Sequence, residues 1–75
     1  MDDVQSNKKL DQLAQRIKER RIAAGYTSHE TFANDKGFAR KQYWRLESGF
    51  DFKMSTLLRL SEAHNMSLSE FLEGL

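Results

Sequence analysis

Between Lys36 and Arg45 the chain places Lys36, Arg40, Lys41 and Arg45, with no acid among them. Gln42 lies inside the same stretch. On a helix turning about 100° per residue, Arg40, Lys41, Trp44 and Arg45 share one side, Gln42 lies at its edge, and Ala39, Tyr43 and Leu46 take the opposite side. The donors and acceptors on the first side match base edges. Arg and Lys bond guanine O6 and N7, Gln bonds adenine N6 and N7, and each good bidentate pair discriminates by about 1–3 kcal/mol. A run of cations is usually only a solvated face. What lifts this one above that reading is its place opposite an apolar seam, on a helix joined by a turn to another.

Catalysis and metal chemistry lack their ingredients. The sequence has no cysteine, and its two histidines, His29 and His64, stand far apart with no clustered carboxylates beside them. No spacing brings together an acid, a base and a nucleophile, so neither an enzyme nor a cofactor is expected. Glu47 is expected to cap or to pair with an arginine, Arg21 being the candidate.

The elements that must hold the cationic face come next. Ala33 suits a close helix–helix approach. Gly37 supplies a positive φ that ends one helix and turns the chain. Phe38 follows as a buried plug, and Phe32, Tyr43 and Leu46 complete the packing set. This spacing is the sequence form of a helix-turn-helix, whose second helix enters a major groove. The start of the first of these helices offers free backbone N–H groups beside Ser28 and His29, which suits a phosphate. The Tyr43 hydroxyl is a further phosphate candidate. Trp44 either presses on sugar or a thymine methyl, or folds over the loop carrying Phe50 and Phe52.

Around this pair the apolar spacing predicts an all-α domain of five helices over 7–75, after a flexible arm at 1–6. Leu10, Leu13, Ala14, Ile17 and Ala24 mark helix 1, from about Asn7 to Ala24, with Gly25 as its stop. Arg16, Lys18, Arg20 and Arg21 on its polar side are candidates for a clamp on a nucleic-acid backbone. Helix 2 starts at a capping box of Thr27 and Glu30, or at Ser28, and runs to about Asp35 or Lys36. Helix 3 spans about Ala39 to Ser48, with Gly49 beyond it. Ser55 is expected to cap helix 4, with Leu57, Leu58, Leu60 and Ala63 inward and Asn65 as terminator. Ser67 and Glu70 form a capping box for helix 5, which carries Leu68, Phe71 and Leu72.

Composition agrees with a small helical domain: of 75 residues, 39% are hydrophobic and 31% charged. The net charge of +1 hides an asymmetry. Residues 1–53 hold eleven Lys/Arg against eight Asp/Glu, and residues 54–75 hold one against three. Local patches rather than the sum attract nucleic acid. With no apolar run long enough for a membrane and no secretory leader, a cytoplasmic location is the default expectation.

Ala33-x-x-x-Gly37-Phe38-Ala39-x-x-x-Tyr43-x-x-Leu46-Glu47-x-Gly49 resembles the helix-turn-helix of the phage-repressor family, also called the xenobiotic-response-element family. Arg16-Ile17-Lys18-x-x-Arg21 with Gly25, Thr56-Leu57-Leu58-Arg59-Leu60 and Asn65-Met66-Ser67-Leu68-Ser69-Glu70-Phe71 are similar to its other helices, so the likeness covers about residues 10 to 73. It implies a compact repressor-like fold and a regulator that binds double-stranded DNA as a homodimer on a palindromic site. By the same resemblance Arg40, Lys41, Gln42 and Arg45 read bases and His29 binds phosphate. The chain departs from the family where Gln commonly starts helix 2, here His29, and where a hydroxyl residue starts helix 3, here Ala39. The alternative expectation is a protein-interaction module, such as an antitoxin or adaptor, using exposed Leu72 and Leu75 as a contact surface.

Overall fold

The computed structural model describes the backbone from Asp2 to Leu75 and the side chains from Lys8 onward. The described residues form five helices and no strand: α1 (Asp2–Ala23), α2 (His29–Lys36), α3 (Arg40–Glu47), α4 (Met54–Ala63) and α5 (Leu68–Phe71). Helix α1 thus begins before the Asn7 start set by its apolar spacing, and the flexible arm expected at 1–6 lies outside the fully described residues. No described helix is long and apolar enough to cross a membrane.

Phe32 organises the core. It is fully buried, with Tyr26 edge-on at 5.2 Å, Tyr43 at 5.0 Å and His64 stacked at 5.0 Å between ring centroids. Ile17 from α1, Ala33 from α2, Leu46 from α3, Leu57 and Leu60 from α4, and Phe71 from α5 close around these rings. Aromatic pairs at such separations add to the area they bury. Helix α3 packs on both α1 and α2, and α4 packs on α5.

The turn between α2 and α3 follows from two local devices. Gly37 adopts φ 78°, a left-handed conformation that costs a side-chain-bearing residue about 1–2 kcal/mol. Its N–H and that of Phe38 (2.8 Å) both donate to the Ala33 carbonyl, which satisfies the end of α2 and sends Phe38 inward. At the other end Ser28, not Thr27, is the N-cap: its Oγ accepts from the N–H groups of Glu30 at 3.1 Å and Thr31 at 3.4 Å. The capping box expected from Thr27 does not form.

Helix α4 differs more from its expectation. Lys53 is its N-cap, so Ser55 lies inside the first turn and caps nothing. Leu58 faces outward, while Thr56 and Ser61 join Leu57 and Leu60 inside. The buried Ser61 hydroxyl donates to the Leu58 carbonyl at 2.8 Å, which satisfies it within its own helix. Asn65 ends the segment at φ 55°. The Ser67–Glu70 capping box forms in both directions. Leu72 is half-buried against the core rather than exposed.

Three of the four α1 cations proposed as a clamp are occupied within the molecule. Arg16 donates to the Phe71 carbonyl at 3.0 Å, and Arg20 donates to the Glu70 carbonyl at 2.7 Å with its guanidinium over the Phe71 ring. Cations at the last carbonyls of α5 also complement its dipole. Arg21 is buried on Glu47, and Lys18 alone of the four remains fully on the surface.

Candidate nucleic-acid interface

Helix α3 is fixed by what it buries. Tyr43 and Leu46, one turn apart, are sealed into the core, so Arg40, Lys41, Gln42, Trp44 and Arg45 all face out. The expected reading side chains therefore share one exposed surface. Ala39 provides no side-chain cap and the first turn carries no acid, so the N-terminal end of α3 keeps the positive end of its dipole uncompensated by its own residues.

The end of α3 is set by Gly49 at φ 91°, after which the Phe50 N–H donates back to the Arg45 carbonyl at 3.3 Å. That return places the Phe50 ring under the Arg45 guanidinium, 4.3 Å from its centroid, and beside Trp44 at 6.0 Å. Trp44 thus packs on the loop and still leaves 48% of its surface exposed. Phe52 is half-buried against the core.

Among the described residues, Arg40 is the one expected reader with an acid beside it. Its Nη1 lies 3.5 Å from Glu30 on α2, and both side chains are more than half exposed. Such a pair contributes little in water and is readily exchanged for a stronger anion. Ser28 and His29 sit at the start of α2 and are half-exposed, although the Ser28 oxygen is already engaged as a cap.

Tyr43 does not fit the phosphate-contacting role expected of it. It has 0% exposure, and its hydroxyl is buried beside the Arg21–Glu47 pair without meeting a partner at hydrogen-bond geometry. Burial first, and then the Glu47 carboxylate, raise its phenol far above the ordinary value of 10. A neutral buried phenol is a packing residue.

The Arg21–Glu47 pair anticipated from sequence fastens the back of α3 to α1. Arg21 Nε donates to Glu47 Oε2 at 2.7 Å and Nη2 donates to Oε1 at 3.0 Å, a bidentate fork, while Nη1 donates to the Tyr26 carbonyl at 2.9 Å. The hydrogen bonds that Arg21 donates to Glu47 raise the already high pKa of the guanidinium.

Two supports escaped the sequence reading. Arg59 on α4 donates to the Gly37 carbonyl at 3.1 Å and lies 4.4 Å over the Phe38 ring, clamping the turn itself. It is the lone cation of residues 54–75, which was the available clue. Tyr26 donates to Asp35 at 2.6 Å, and that hydrogen bond raises its phenol above 10. Among the described residues, no group of three or more His, Asp or Glu side chains gathers to hold a metal. No family model matches the chain, and neither does any curated protein or solved structure.

Proposed function

We propose that the chain is a sequence-specific regulator of transcription that binds double-stranded DNA. In this reading α2 and α3 are a helix-turn-helix, and α3 lies in the major groove. The observation that carries it is the outward face of α3: Arg40, Lys41, Gln42 and Arg45 exposed together on a helix whose other side is locked into the core. These four read base edges. Ser28 and His29 at the start of α2, with Trp44 at the rim, contact phosphate and sugar. A homodimer on a palindromic site would double the contacts, with half-sites about one helical turn apart. Control follows from occluding or recruiting polymerase, and the protein acts in the cytoplasm.

Selection of bound sequences from random duplex DNA tests this directly. An inverted repeat is the expected product, and failure to enrich any sequence at low salt would exclude DNA reading. On a selected site, Arg40→Ala and Arg45→Ala should each weaken binding by about 1–3 kcal/mol. Affinity should fall by about 10³ to 10⁵ between 50 and 200 mM salt if six to ten phosphates are engaged.

A second reading, a protein-interaction module, draws on Met54 and Leu58. They are 62% and 45% exposed one turn apart on α4. A pull-down partner retained at high salt, with no DNA bound, would favour it.

A further inference from the structure

Arg45 differs from the other outward cations of α3 in being held. The Phe50 ring lies 4.3 Å from its guanidinium carbon, and Trp44 packs on the same ring at 6.0 Å. Arg40 instead leans on an exposed carboxylate across to α2. A long cationic side chain free in water must give up much of its rotamer freedom when it bonds a base, and that cost reduces affinity. Stacking on an aromatic face removes part of the freedom beforehand. A guanidinium that lies flat on a ring keeps the N–H edge of its planar fork unused, since such a contact engages its face and not its donors.

We propose that Phe50 is a positioning residue for base reading: it stacks Arg45 at the C-terminal end of α3 so that the guanidinium edge is pre-aimed at guanine O6 and N7. The inference rests on the DNA-binding reading above and adds the device that makes one of its four readers more selective than the rest. Phe50 reaches this place through the backbone. Gly49 at φ 91° reverses the chain, and the Phe50 N–H to Arg45 carbonyl bond at 3.3 Å sets the ring one turn back along α3. None of those backbone contacts needs the side chain, and Phe50 is 41% exposed, so replacing it leaves the fold standing. An exposed aromatic here would otherwise be a poor use of a surface position. Guanine is the matching target because a bidentate arginine fork fits its two major-groove acceptors and no other base edge so well.

The stack itself is tested first, without DNA. In the NMR spectrum of the full chain, the Arg45 side-chain protons should be shifted by the Phe50 ring current and should return to ordinary positions in Phe50→Ala. Absence of that shift in the unaltered protein overturns the proposal.

The second step uses a duplex recovered by selection, with 7-deazaguanine replacing each guanine in turn to delete N7. Phe50→Ala should weaken binding to the unmodified duplex by about threefold to tenfold and shrink the 7-deazaguanine penalty at one guanine by a similar factor. Phe50→Tyr, which keeps the ring, should retain both. In an Arg45→Ala background the Phe50→Ala change should add nothing. If Phe50→Ala weakens both duplexes equally, or still costs affinity without Arg45, Phe50 is structural and the inference fails while DNA binding stands. If no duplex is ever enriched, the DNA reading fails and carries this proposal with it.

Discussion

Individual residues divide between those that hold the outward face and those that compose it. Arg21 and Glu47, with side chains 6% and 11% exposed, belong to the first kind. Removing one partner of a buried pair costs about 3–5 kcal/mol, a large share of the stability of so small a domain. Glu47→Gln and Arg21→Met should each lower the urea midpoint sharply, and Arg21→Met with Glu47→Leu should recover much of the loss because no lone charge remains. Tyr43 gives the opposite forecast. Its buried hydroxyl meets no partner at bonding geometry, so Tyr43→Phe should be neutral or raise stability by up to about 1 kcal/mol, with DNA affinity unchanged. A marked loss of affinity would return Tyr43 to the phosphate set. On the composing side, Glu30 lies 3.5 Å from Arg40 Nη1, and in the proposed DNA-binding reading it competes with phosphate or base for that side chain. Glu30→Gln should strengthen binding to unrelated DNA severalfold at low salt, and the gain should fade at high salt.

At the scale of elements, the two glycines that close α2 and α3 make different demands. A Cβ at Gly37 would meet nothing within 4 Å, so Gly37→Ala should cost only the backbone term of about 1–2 kcal/mol. A Cβ at Gly49 would lie 2.7 Å from Asp11 Oδ1, the free end of a flexible exposed side chain that turns aside cheaply, so Gly49→Ala should cost little beyond that backbone term, and Asp11→Ala should remove the small excess in thermal melts. Both glycines were legible in the sequence, as were Ala33, Phe38, Tyr43 and Leu46, because turn chemistry and helical spacing are local. Longer-range pairing was not. Arg16 and Arg20 read as wet-side cations because nothing near them in the chain reveals that α5 ends against them. Leu58 read as core because hydropathy favours it over Thr56 and Ser61, yet Ser61 satisfies its own hydroxyl and the helix turns accordingly. The Ser67–Glu70 box shows the converse, a cap named correctly from a few neighbouring residues, while for α2 the same local signals left Thr27 and Ser28 both open and the structure uses Ser28. Among the candidate readers, their common exposure was predictable from the wheel, whereas the Phe50 stack was hidden because it depends on the path of the chain after Gly49.

For the whole molecule, acid is the sensitive direction. His64 stacks on Phe32 and lies against Phe71, at the edge of a cleft of about 340 Å³ shared with Arg20 and Lys36. Burial first, and then the charges of Lys36 and Arg20, hold its imidazole below the ordinary 6.5. The unfolded chain therefore takes up the proton more readily than the folded one. Stability from this group is complete above about pH 6.5 and is lost as pH falls through the lowered folded value. Urea unfolding at pH 7.5 and 5.5 should show the decline, and His64→Phe should flatten it; an unchanged slope would deny His64 the role. The same interlocking bears on engineering. Arg59 reaches from α4 to the Gly37 carbonyl, and Arg21 reaches from α1 to Glu47, so both the turn and the far end of the α2–α3 pair are held by residues that lie outside it. A synthetic peptide spanning only residues 28–49 would lack those outside fasteners and should show little helicity by circular dichroism. The outward surface of α3 is thus not a portable cassette: grafting it onto another scaffold requires carrying over the side chains that brace it from behind.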